Sequence, residues 1–284
     1  MRSRAINADK PCRNVSDFLD AVAALRKKWG NSRVASKGEG RQLWFRGQRS
    51  AKWLLRPLFH RDEYADAVES EVRLEFESHS LQLATPGIGR GKWEMYFLMQ
   101  HYGAPTRLLD WTSSPLAGLY FASSYEARNI INDNATVWVF DPWHWNSLHF
   151  SNLSGPALPG WLETEPYLQD IEEACDEEKI QKRWPIAIDP PSIDRRIASQ
   201  SARFLLFGKA PDLIKAADMT DAKKRENKRS RLAQIIIAAE RLERIRCELD
   251  DLGINQRFLF PDLQGLGMHL SWEWKGFKKE RRLY

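Results

Sequence analysis

Cysteine is scarce in this 284-residue chain. Cys12, Cys175 and Cys247 are odd in number and far apart, which excludes a disulfide framework and a CxxC metal knuckle and leaves free thiols as the reading. The six histidines include no HExxH or HxxxH spacing, so no dedicated metal site is expected. Long apolar runs are also missing. Leu205–Phe207 and Ile235–Ala239 are among the longest, against the roughly 20 residues that a bilayer-spanning helix needs. The opening MRSRAINADKPCRN has bases but no apolar stretch behind them, so it lacks the middle of a secretory signal, and the expectation is a cytoplasmic protein.

What is present is aromatic and unevenly charged. Most of the twelve tryptophans are expected in the core or in pocket walls, because a large exposed aromatic surface is unfavourable. The net charge is +5, but its distribution matters more than its sum. Leu162–Glu178 has eight acids and no Lys or Arg, whereas Lys223–Arg246 has nine bases against three acids and Lys275–Arg282 five against one. Such segments are either solvated helix faces or a surface for nucleic acid or a protein target.

The pattern of the chain predicts an α+β fold, a mixed sheet of short strands with packed helices. Ser16 is read as the N-cap of a first helix carrying Phe18, Leu19, Val22 and Leu25, closed by Gly30. After a loop at Asn31–Gly40, Leu43-Trp44-Phe45 reads as a strand with Arg46-Gly47 at its end. Helices are expected over Glu63–Leu83 and Trp93–Tyr102, the latter stopped at Gly103, and after the Ser114-Pro115 cap. Arg107–Leu109, Thr136–Asp141, Trp184–Asp189 and Ala202–Phe207 read as strands. Arg231–Leu252 carries the longest helical stripe, and Pro261–Trp274 reads as a final amphipathic helix. The division expected is residues 1–40 as N-terminal helix and loop, 41–274 as the main domain, and 275–284 as a basic tail.

The densest polar and aromatic signals are Trp44-Phe45-Arg46-Gly47-Gln48, followed by Trp53, Leu55, Pro57 and Arg61, and the stretch Gln100-His101-Tyr102-Gly103-Ala104-Pro105-Thr106-Arg107-Leu108-Leu109-Asp110-Trp111-Thr112. With Trp138–Pro142, Arg195–Phe207 and Leu259–Leu266, these make the chain resemble the FRG domain family, named for its Phe-Arg-Gly motif. A remoter resemblance is to ADP-ribosyltransferases, in which an aromatic-Arg-Gly strand places a guanidinium on NAD. It implies an ADP-ribosyltransferase-like sheet, NAD or a related nucleotide as ligand, no metal, and a bacterial effector of toxin or phage-defence type.

On that resemblance Arg46, Gln48, Arg107, Thr112 and Ser113 are the ligand-binding candidates, and Gln200, His101 and Asp110 the catalytic ones. The chemistry asks for a planar fork on phosphate, small hydroxyls beside the nicotinamide, and an acceptor for an oxocarbenium-like ribose. No ExE or QxE follows near the late strand, so Gln200 or Asp110 would stand in for the glutamate. Each residue has a structural reading beside the functional one. Arg46 either faces a ligand or pairs with Asp110; His101 is either a general base or bonded to a carbonyl at a helix end; Arg107 either binds an anion or caps carbonyls; Ser114 is read as a cap; and Asp262 as the first-turn acid of the last helix. The other reading of the whole chain is a non-catalytic nucleic-acid-binding or interaction module that uses its basic helices.

Overall fold

The structure, a computed structural model, describes residues 4–30, 42–65, 68–83, 92–124, 133–150, 155–157, 184–190, 198–208, 210, 212–223 and 229–274. The loop at 31–40, the acidic run 162–178, Cys175 and the tail 275–284 lie outside them.

Six strands form one sheet in the order β4-β5-β2-β1-β3-β6, with β1 Trp44–Gln48, β2 Leu108–Thr112, β3 Ala135–Phe140, β4 Ile186–Ile188, β5 Ala202–Leu206 and β6 Leu232–Ile237. Its ladders are antiparallel throughout, where a mixed sheet was expected. Parallel pairing enters as isolated bridges, Ala5 and Cys12 onto β6 and Ala157 onto β4. The first two cover the outer edge of β6, which would otherwise present unpaired amides. The helices are α1 Val15–Lys28, α2 Glu69–Leu83, α3 Lys92–His101, α4 Pro115–Ala122, α5 Pro142–His149, α6 Leu213–Lys223, α7 Leu242–Asp251, α8 Gln256–Leu259 and α9 Leu263–Trp274. No helix of the described residues is long and apolar enough to cross a membrane.

Alternation along the strands divides the core between two faces. Phe45, Val137, Val139, Ile235 and Ile237 turn to a cluster with Phe18 and Val22 of α1, Leu119 of α4 and Ile245 of α7. Beyond β1, Leu108, Ile186, Phe204 and Leu206 meet Tyr96, Phe97 and Met99 of α3. Trp44, Leu109, Trp111, Trp138, Phe140 and Leu205 turn the other way, onto Trp145 of α5 and Leu213, Ala216 and Ala217 of α6. Trp44, Trp111, Trp138 and Trp145 are buried, Trp29, Trp93 and Trp184 pack partly buried against the core, and Trp53 and Trp274 are exposed.

Several boundaries follow the sequence, and several do not. Ser114 accepts the amide of Ala117 as the N-cap of α4 with Pro115 behind it, and Gly30, Gly103 and Gly253 hold the positive φ that ends a helix. Asp262 caps the last helix through the Gly265 amide at 2.6 Å. The cap of α1 is Asn14, not Ser16: its Oδ1 accepts the Asp17 amide at 2.8 Å, which lets buried Val15 open the apolar stripe. The segment expected as one long helix over Arg231–Leu252 is strand β6, a 3-10 turn at Ala239–Arg241, and then α7. Three consecutive isoleucines, Ile235–Ile237, are stiff at χ1 and fit a pleated surface better than a helix, and six paired positions along β3 satisfy their backbone.

Candidate functional site

The sheet parts in its middle. Between β1 and β2 only Phe45 and Thr112 pair, whereas β1 meets β3 along its full length and β2 meets β5 likewise. Past Phe45 the two central strands therefore diverge, with Arg46-Gly47-Gln48 on one side and Asp110 and Trp111 on the other. Arg46 lies inside β1, opposite Trp138, not at the strand's end. The other side of Gly47 is closed by α4. A Cβ at Gly47 would lie 2.0 Å from the Gly118 carbonyl oxygen and 2.4 Å from the Ala122 nitrogen. The motif glycine is thus what lets helix and strand backbones touch.

The parting opens a cleft of about 980 Å³, walled by Phe45, Trp53, Phe97, Trp111, Phe121 and Phe204. Arg46, Arg49, Lys52, Arg56 and Arg61 bring five positive charges to it against the carboxylates of Asp62, Glu63 and Asp110. Arg46 crosses the gap, its Nη1 donating to the Asp110 carbonyl oxygen at 2.6 Å. The Asp110 carboxylate is a looser neighbour at 3.8 Å and is 57% exposed. Burial pulls the Arg46 guanidinium below its ordinary value; Asp110 opposes this, and the charge of Arg61 adds to it. At the rim, Lys52 bonds the Asp133 carboxylate at 2.7 Å and, with Ser50 and Arg49, holds it below its usual range. Arg49 bonds the Asp133 main-chain oxygen at 2.8 Å.

Asp110 is positioned from behind. The Gln100 Nε2 donates to its Oδ2 at 2.9 Å, and the Thr106 hydroxyl donates to the Gln100 Oε1. That hydroxyl fixes which end of the amide faces Asp110, so the carboxylate is presented to the cleft as an acceptor.

Of the residues expected at a site, Arg46, Gln48, His101, Asp110, Thr112 and Gln200 line this cleft, and Arg107 and Ser113 do not. Arg107 is 3% exposed. Its Nε meets the Glu69 carboxylate at 2.5 Å and its Nη1 the Phe207 carbonyl at 2.8 Å. The Tyr96 hydroxyl donates to the same carboxylate. It is a core ion pair tying α2 to β2, not an anion site, because burial of the guanidinium demands a charged partner. Ser113 belongs to the β2–β5 join, its amide donating to the Ser201 oxygen at 3.0 Å.

Three lining residues are occupied. Gln48 donates to the Leu54 oxygen at 3.1 Å and accepts the Trp138 indole at 2.9 Å, so its amide holds the turn after β1. The Thr112 hydroxyl donates to the Gln200 main-chain oxygen at 2.6 Å and accepts the Ser114 amide. The Gln200 side chain donates to the Leu259 carbonyl at 3.1 Å, which makes it a tether to α8. His101 lies on the wall, its ring edge-on to Tyr102 at 4.8 Å. Sequence reasoning missed Arg49, Lys52, Arg56 and Gln100, and did not assign Trp53 and Arg61 to the site. The alternation of bases and aromatics from Arg49 to Arg61 directly after β1 was the signal.

The basic stretch 223–246 offers no continuous charged helix. Arg231 pairs with Asp141 at 2.9 Å and Arg244 with Glu248 at 2.9 Å, while Arg246 lies buried over the Tyr120 and Trp272 rings. Among the described residues no group of three or more His, Cys, Asp or Glu side chains is placed to hold a metal ion.

No curated protein and no solved structure matches the chain. All of the cleft lining except Gln200, Ala202 and Phe204 falls within residues 41–129. That segment matches the family model of the FRG domain.

Proposed function

We propose that the cleft between β1 and β2 binds NAD or a closely related nucleotide, with Arg46 on its phosphates. The observation that carries this reading is the half-buried Arg46 guanidinium at the parting of the sheet, in a cleft where cations outnumber carboxylates and aromatic side chains form the walls. A volume of about 980 Å³ is at the upper end of small-ligand sites and suits a dinucleotide. A guanidinium fork matches two phosphate oxygens at once, and an anion would relieve the mutual repulsion of Arg46 and Arg61.

The reaction suited to this donor set is transfer of ADP-ribose. The bond from ribose C1′ to the nicotinamide nitrogen breaks, nicotinamide leaves with the electron pair, and a nucleophile of the acceptor molecule forms the new bond to C1′ and gives its proton to solvent. Asp110, held as an acceptor by Gln100, is the carboxylate placed to stabilise positive charge on the ribose. In this role it replaces Gln200, whose amide is tied to Leu259.

Calorimetric titration with NAD and with ADP-ribose tests the binding. Heat that saturates with one site per chain is the expected result, and none at millimolar ligand removes the reading. Release of nicotinamide from NAD, lost in Asp110→Asn while ADP-ribose still binds, tests the transfer separately.

A further inference from the structure

Buried polar groups are almost always hydrogen-bonded, and a lone unsatisfied one calls for an explanation. Three residues that line this one cleft each carry such a group: Nε of Arg46, Nε of Arg56 and Nε1 of Trp111 are buried without a partner among the described residues. Trp111 as a whole is 3% exposed, with its ring against Phe140 at 5.4 Å. Arg46 comes from β1, Trp111 from β2 and Arg56 from the segment that follows β1, so the three reach the cleft from independent pieces of chain.

All three are donors that cannot accept. Their complement is a group with several acceptor oxygens and no hydrogens of its own. A carboxylate offers two oxygens, whereas a diphosphate offers a row of them on two linked centres. The Arg46–Asp110 contact at 2.6 Å uses only Nη1 of the guanidinium, so Nε is left without a partner. Arg56 is held at 3.3 Å by Asp62, itself 99% exposed, a weak anchor in water that an anionic ligand can displace.

We propose that Arg46, Arg56 and Trp111 together cradle the phosphoanhydride of the ligand, with the Trp111 indole N–H as a specific donor to it. The inference deepens the nucleotide reading of the same cleft and rests on it in assigning the phosphoanhydride to a nucleotide. Trp111→Phe keeps an aromatic ring but removes the N–H together with the fused five-membered ring. It therefore weakens binding, and the volume it leaves in the core lowers the stability of the unliganded fold modestly.

Isothermal titration of the full chain with inorganic pyrophosphate and with ADP-ribose decides the matter, using wild type, Trp111→Phe, Arg56→Gln and, as a charge control far from the cleft, Arg244→Gln. The expected result is binding of both probes by wild type and roughly 10- to 100-fold weaker binding in the two cleft variants, as for a lost hydrogen bond to a charged group. Arg244→Gln binds both probes as wild type does, and thermal melts show that Trp111→Phe is still fully folded at the titration temperature. If wild type binds ADP-ribose and both cleft variants match it within twofold, the cradle is wrong and the nucleotide reading stands. Binding of pyrophosphate with the expected losses but no binding of ADP-ribose upholds the cradle and removes the nucleotide. Binding of neither probe at millimolar concentration overturns both.

Discussion

Replacing Gly47 by alanine adds one methyl group where the β1 and α4 backbones approach closely. That methyl would lie 2.0 Å from the Gly118 oxygen, 2.4 Å from the Ala122 nitrogen and 2.9 Å from the Phe121 carbonyl carbon. All three atoms are main chain, so no rotamer change can clear them; α4 must move away from β1 by more than an ångström to restore ordinary contact. The facing Gly118 prevents a simple slide, since its own Cβ position is 2.8 Å from the Phe45 Cβ. Overpacking of this kind costs typically 1–3 kcal/mol and occasionally more. At about 2–4 °C per kcal/mol for a domain of this size, the melting temperature should fall by roughly 2–12 °C. Gly103→Ala is the comparison: its φ is +80° and nothing lies within 4 Å, so it incurs only the left-handed penalty of about 1–2 kcal/mol. Differential scanning calorimetry of the two variants beside wild type reads the difference. If Gly47→Ala melts within a degree of wild type, α4 does not lie on β1 as described, and the shape of the cleft inferred from that contact fails with it.

Three further outcomes follow from the same geometry. Arg107→Ala strands the buried Glu69 carboxylate and should lower stability by about 3–5 kcal/mol in urea denaturation; a loss under 1 kcal/mol would show that the pair is open to water. Arg46→Ala removes one hydrogen bond and a partly desolvated charge, and leaves behind a carboxylate that is 57% exposed. Its stability should stay within about 1 kcal/mol of wild type, and a drop like that of Arg107→Ala would make Arg46 a structural bridge. Burial, reinforced by Arg107 and Arg56 and opposed by a bond to the Ala210 backbone, pushes His60 down from 6.5 to about 4. The unfolded chain then binds the extra proton between these values, so the His60 contribution is complete above pH 6.5 and is lost as pH falls towards 4. It amounts to at most about 3 kcal/mol. His60→Gln should flatten the fall in stability between pH 7 and pH 4, and an unchanged slope would count against a neutral, buried His60.

The sequence showed the class of fold and most of its parts through local rules. Ser114-Pro115 at α4, the glycines that end α1, α3 and α7, and the apolar runs of β2, β3 and β5 all act within a few residues. Ile235–Ile237 misled because a run that is apolar at every position satisfies both periods, and the choice between them lay in the β3 edge that it pairs with. The site was half legible for the same reason. Arg46, His101 and Asp110 stand in dense motifs, but Arg107 stands in the same motif and goes to the core, since strand alternation and Glu69, 38 residues away, decide its direction. Gly47 could be read as a turn; its actual constraint is a helix backbone some 70 residues on. Arg49, Lys52 and Arg56 stand in no motif of their own, and it is the parting of β1 from β2 that gives them a cleft to line.

A crystal of the protein soaked with NAD tests the central claim most directly. The account predicts difference density in the cleft between β1 and β2, with the two phosphates within hydrogen-bonding distance of Arg46 and Trp111 and a ribose beside Asp110. Density for NAD at another surface, or a cleft that holds only solvent at millimolar NAD, would contradict it.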